Sequence, residues 1–121
     1  ADKLISRGIR PILMTLPPID AKRYLDFLTR DGISRANILK WLGDTDMIYR
    51  FHELYSHAIS SLAVKKDLLC IDIRSLILPD HNFHNMISSD GIHPSKPGYD
   101  FIFQRLYDIL FAHLYAAPQN A

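Results

Sequence analysis

Hydrophobic and polar residues alternate with different periods along this chain, and the changes of period divide it into elements. Residues 9–16, Ile-Arg-Pro-Ile-Leu-Met-Thr-Leu, form a short, mostly apolar run between Gly8 and Pro17-Pro18. That pattern predicts a buried strand, with Pro11 near its start, where a missing backbone donor is tolerated. Residues 68–73, Leu-Leu-Cys-Ile-Asp-Ile, are a second run of this kind after a polar break at Lys65-Lys66-Asp67. Between them the period becomes helical. Tyr24, Leu25 and Leu28 predict a helix over residues 21–28 with Asp20 as its N-cap, interrupted at Arg30-Asp31-Gly32. Another helix follows Ser34 and runs through Ile38, Leu39 and Leu42 to a stop at Gly43. A longer one places Ile48, Phe51, Tyr55, Ala58, Ile59 and Leu62 on one face, with Asp44 or Thr45 as cap. His52 and His57 fall outside that stripe and read as solvated.

Residues 74–78 predict a short helix ended by Pro79, and residues 98–115 a long C-terminal one with Tyr99, Ile102, Phe103, Leu106 and Leu110 on one face. Residues 116–121 read as a frayed tail. At the other end, residues 1–7 look like the close of a helix with Gly8 as C-cap, so the chain is expected to continue a longer polypeptide. Two apolar strands separated by about fifty residues of helix describe a parallel pair joined by a crossover. Parallel sheets are buried on both faces and several strands wide. The expected class is therefore α/β, with this chain supplying about two strands and four to five helices of one domain.

Composition narrows the functional classes. The chain has 121 residues, within one small domain, and 48% of them are hydrophobic, enough for a core. The formal charge is +1 with basic residues scattered, which gives no footprint for nucleic acid or an anionic membrane. No apolar run is long enough to span a bilayer. Cys70 is the one cysteine, so no internal disulfide forms, and its apolar setting reads as a buried, inert thiol.

The chemistry concentrates in Asp90-Gly91-Ile92-His93-Pro94-Ser95-Lys96-Pro97-Gly98-Tyr99. An acid and an imidazole three residues apart can form a hydrolytic pair: the carboxylate accepts from one ring nitrogen and fixes the tautomer, and the other nitrogen takes a proton from a nucleophile. Gly91 and Pro94 set the pair on a turn, Ser95 is the candidate N-cap of the last helix, and Pro97 is tolerated in its first turn. The bare Asp-x-x-His spacing equally describes a loop Asp capping a helix beside an exposed His. The longer string separates the two.

Asp-Gly-Ile-His-Pro followed by Gly98-Tyr99 at the head of an apolar-striped helix resembles the last conserved block of the GDSL/SGNH hydrolases, a family of serine esterases and lipases. The resemblance implies a three-layer α/β/α fold, flavodoxin-like, with a five-stranded parallel sheet, of which residues 1–121 would be the C-terminal part. It implies His93 as general base and Asp90 as its orienting partner in a Ser–His–Asp triad. It also implies a small-molecule, carbohydrate or lipid ester as substrate, and no metal or cofactor. The family's Gly-Asp-Ser block with the nucleophile, and the Gly and Asn of the oxyanion hole, have no counterpart here. Ser88 and Ser89 lie near His93 but not in a Gly-rich strand-to-helix turn that would expose a nucleophile, and read as loop hydrogen-bonding residues. Gly43-Asp44-Thr45 does not replace the missing block. The nucleophile is thus expected in an N-terminal segment, and the chain alone is expected to be inactive. The 17–20 loop and residues 81–89 are candidates to line the cleft.

Two other readings compete. A degenerate hydrolase without its nucleophile would be an interaction module, associating through its cleft or an unpaired strand, as a homodimer for example. A metal site could draw on Asp80, His81, His84 and His93, whose ligand types suit zinc, although the spacing matches no known ligand signature.

Overall fold

The structure, a computed structural model, describes residues 1–115. It is mixed α/β, mostly helical, with a small parallel sheet. Among the described residues the order is α1 (Asp2–Ile5), β1 (Leu13–Met14), α2 (Ala21–Thr29), α3 (Arg35–Leu42), α4 (Asp46–Lys65), β2 (Cys70–Ile71), α5 (Ile73–Ile77), a 3-10 turn (Phe83–Met86) and α6 (Lys96–Tyr115). The expected 116–121 tail lies outside the described residues.

Both strands fall where the apolar runs predict them and pair in parallel, Leu13 opposite Cys70 and Met14 opposite Ile71. They are much shorter than the runs. Pro11 has no N–H to give a ladder, and Pro17-Pro18 close the other side; at the ends of the pairing Leu13 N–H donates to the Leu69 carbonyl (2.9 Å) and Thr15 N–H to the Ile71 carbonyl (3.0 Å). Ile9 and Ile12 remain exposed. Cys70 is free and half-buried, and burial, then the neighbouring Asp72 carboxylate, push its thiol up, which disfavours the thiolate. The helix count exceeds the expected four to five because α1 and α5 are single short turns.

Helix ends follow the caps read from sequence. Asp20 accepts from Arg23 N–H at 3.0 Å, Ser34 from Asn37 N–H at 3.2 Å, and Asp44 from Met47 N–H at 2.9 Å. Asp72 caps α5 through Ser75 N–H at 3.2 Å and also accepts from the Thr15 hydroxyl at 2.8 Å.

The two long helices bury only part of the hydrophobic stripes that their periodicity suggests. On α4 the buried residues are Ser56 and Ala63, with His52 and Ile59 half-buried on the same side, while Phe51, Tyr55 and Leu62 face out. α4 lies against β1. A helix that approaches a strand closely takes small side chains at the contact, so size decides the inward face there. On α6 the inward residues are Phe101, Ile102 and Leu106, which join Ile73, Ile77, Phe83 and Met86 in the core. Tyr99 and Phe103, placed on the inward stripe by periodicity, are exposed, and Phe103 continues into an outward aromatic row with Tyr107 and Phe111.

Candidate active site

The decapeptide around Asp90 folds as a closed turn between the 3-10 turn and α6. Ile87 and Pro94 form an antiparallel bridge, and Ser88 N–H donates to the His93 carbonyl at 2.9 Å, so the chain before the turn runs beside the chain after it. Gly91 reverses direction at φ +79, and a Cβ there would stand 2.3 Å from the Tyr24 backbone nitrogen and 2.6 Å from the Asp20 carbonyl oxygen. Only glycine meets both conditions. Ser95 ends the turn as the N-cap of α6, accepting from Gly98 N–H at 3.2 Å and donating its hydroxyl to the Asn85 carbonyl. Gly98 lets α6 settle on the chain beneath, since a Cβ there would lie 2.1 Å from the Met86 carbonyl oxygen.

The loop leaving β1 holds the turn from the other side. Asp20 N–H donates to the Gly91 carbonyl at 2.8 Å. Arg23, on the first turn of α2, donates from Nη1 to the carbonyls of His84 (3.0 Å) and Ile87 (3.2 Å), with its Nε 3.2 Å from Asp20 Oδ2. His84 Nδ1 stands 3.6 Å from the same carboxylate oxygen. The two segments expected to line a cleft, 17–20 and 81–89, therefore meet at the turn.

Within it the Asp90 and His93 side chains point at each other, with His93 Nδ1 2.7 Å from Asp90 Oδ2. The other carboxylate oxygen, Oδ1, accepts from the Ser88 hydroxyl and from the backbone N–H groups of Ile92 and His93, both at 3.0 Å. These donors hold the Asp90 carboxyl well below the usual carboxylate range: the Ser88 hydroxyl contributes most, burial opposes it, and the His93 ring and the two N–H groups add to it. Asp90 is thus an anion at any pH near neutrality, and an anion at this distance accepts the Nδ1 proton of a neutral imidazole. Nε2 is then left with a lone pair and no hydrogen-bond partner among the described residues, on a side chain 69% exposed against 19% for Asp90. With a half-buried, fixed acceptor behind it, an exposed, oriented base can draw a proton from a hydroxyl presented by another segment.

Of the residues singled out in the sequence, Asp90 and His93 are brought together. Ser88 contacts Asp90, while Ser89 is exposed and makes no side-chain hydrogen bond among the described residues. The Asp80 side chain accepts from Asn82 N–H at 2.7 Å, just ahead of the 3-10 turn. Among the described residues no group of three or more His, Cys, Asp or Glu is placed to hold a metal ion, and no helix is long and apolar enough to cross a membrane.

A second polar cluster escaped the sequence reading. Arg74 is 4% exposed, with its backbone N–H on Thr15 Oγ1 (3.1 Å), Nη1 3.3 Å from His52 Nδ1, an ion pair to Glu53, and its guanidinium over the Tyr49 ring. It ties α5, β1 and α4 together at the carboxyl end of the sheet. His52 is accordingly half-buried rather than solvated, because the helix face it shares with Ser56 turns inward; burial and then Arg74 lower its imidazole, with Glu53 opposing. A histidine four residues before a serine on the small-residue face was the available signal.

Comparison with family models, with curated proteins and with solved structures returned no match.

Proposed function

We propose that Asp90 and His93 are the acid–base half of a Ser–His–Asp triad, and that residues 1–121 form the C-terminal part of a GDSL/SGNH-type serine ester hydrolase with a three-layer α/β/α domain. One observation carries the reading: His93 Nδ1 lies 2.7 Å from an Asp90 carboxylate whose other oxygen is already saturated. That arrangement assigns one nitrogen to orientation and leaves the other for catalysis. The parallel strand pair with α4 packed on it is compatible with the later part of such a sheet.

In this mechanism a serine supplied by polypeptide N-terminal to these residues attacks the ester carbonyl while His93 Nε2 takes its proton. Asp90 stabilises the imidazolium that results. Collapse of the tetrahedral intermediate passes the proton from Nε2 to the leaving alcohol and forms an acyl-serine. Water, deprotonated at the same nitrogen, then releases the carboxylic acid. No metal or cofactor enters. The substrate is a small-molecule, carbohydrate or lipid ester.

The test is covalent labelling of the polypeptide that carries both the serine-bearing segment and these residues. A fluorophosphonate should add once, at a single serine, and His93→Ala should slow the addition by about 10³-fold or more, as expected for loss of a general base. Labelling at an undiminished rate in the variant would remove His93 from the chemistry.

A second reading, the interaction module, is favoured by the outward apolar rows, Phe51 with Tyr55 on α4 and Phe103 with Tyr107 on α6. It predicts a stable homodimer by light scattering and no serine adduct under any condition.

A further inference from the structure

The geometry points to Ser88 as a positioning residue for the Asp90–His93 pair, holding the Asp90 carboxylate with its hydroxyl and the His93 backbone with its N–H. The inference rests on the triad reading above. Three contacts converge on this one residue. Its hydroxyl donates to Asp90 Oδ1, its backbone N–H donates to the His93 carbonyl at 2.9 Å, and its carbonyl accepts from Gly91 N–H at 3.1 Å. It therefore touches both members of the pair and the glycine that reverses the chain between them.

The hydroxyl has a role that the other two donors on Oδ1 do not duplicate. Ile92 and His93 N–H reach Oδ1 from the chain that follows Asp90. Ser88 reaches it from the chain that precedes, so the carboxylate is held from both sides of the turn. Held in this way it cannot rotate about its Cβ–Cγ bond, and Oδ2 stays on His93 Nδ1. With the hydroxyl removed, the backbone donors keep Asp90 near its place but leave it free to rotate, and the imidazole loses the acceptor that keeps its proton on Nδ1. The same hydroxyl is the largest influence holding Asp90 ionised, which agrees with the geometry. Ser89 is a built-in control, adjacent in sequence but without a side-chain partner among the described residues.

The experiment reads the His93 ring directly, by ¹⁵N NMR of the imidazole above pH 8, on the 121-residue chain. The unaltered protein and Ser89→Ala should carry the proton on Nδ1. In Ser88→Ala the ratio of Nδ1–H to Nε2–H should fall by about tenfold, the size expected for losing a hydrogen bond to an ionised group. Ser88→Thr should restore the ratio. Ser88→Cys, which keeps the volume and weakens the donor, should give an intermediate ratio, and it decides the matter if the alanine variant does not fold. An unchanged ratio in Ser88→Ala or Ser88→Cys, or a threonine variant that fails to restore it, overturns the role of Ser88 and leaves the triad reading standing. A proton found on Nε2 in the unaltered protein sinks the triad reading itself.

Discussion

Gly91 and Gly98 are the residues on which the geometry of the turn is most exacting. Alanine at Gly91 would combine a left-handed φ with a Cβ 2.3 Å from a backbone nitrogen, and alanine at Gly98 would press on the Met86 carbonyl oxygen. Each substitution should destabilise the protein by more than about 2 kcal/mol, read as a lowered urea midpoint. Gly43, also at positive φ but with open space around it, should tolerate alanine with a smaller loss, set by its backbone alone. Asp90 adds a pH dependence. Its folded carboxyl is lowered relative to the unfolded chain, so its contribution to stability is complete above about pH 5 and is lost as pH falls through the folded value. The stability gap between the unaltered protein and Asp90→Asn should therefore be widest near neutral pH and close on acidification. At this scale the sequence was most informative where the partners are contiguous: Asp90, Gly91, His93 and Ser95 declare themselves by spacing. Arg23 and His84 did not, because the bond between them spans 61 positions and no local pattern records it.

Elements were legible in kind and position, and in orientation only in part. Caps at Asp20, Ser34 and Ser95 were readable because a cap is a local hydrogen bond. On α6 the stripe holds at Ile102 and Leu106 and fails at Tyr99 and Phe103, and on α4 it fails at Phe51, Tyr55 and Leu62, for a common reason: periodicity finds the most apolar stripe, whereas burial follows what the neighbour leaves room for. Ala63, 1% exposed where α4 meets the sheet layer, should resist enlargement, and Ala63→Leu should cost about 1–3 kcal/mol by overpacking. Tyr55→Ser on the opposite side should change stability by less than about 0.5 kcal/mol in this chain. The α4–α5 tie gives a second pH dependence of defined sign. His52 is lowered in the fold, so the unfolded chain takes up its proton first as pH falls past about 6.5, and stability declines there. The decline between pH 7 and pH 5.5 should be steeper in the unaltered protein than in His52→Gln.

For the whole molecule, the α/β class and the parallel pair emerged from two apolar runs and the helices between them, while strand length did not, because the prolines that bound β1 act by removing donors rather than by changing hydropathy. The sheet observed has two strands, and apolar rows on α4 and α6 face outward. The proposed function needs a serine brought to His93 Nε2 from outside these residues. The central claim is that this nitrogen is the base of an ester hydrolase. It is tested most directly by p-nitrophenyl acetate turnover in the polypeptide that includes the serine-bearing segment, compared with the same polypeptide carrying His93→Ala. The account predicts a fall in kcat of about 10⁴-fold with the fold intact. Turnover equal to that of the unaltered polypeptide would contradict it.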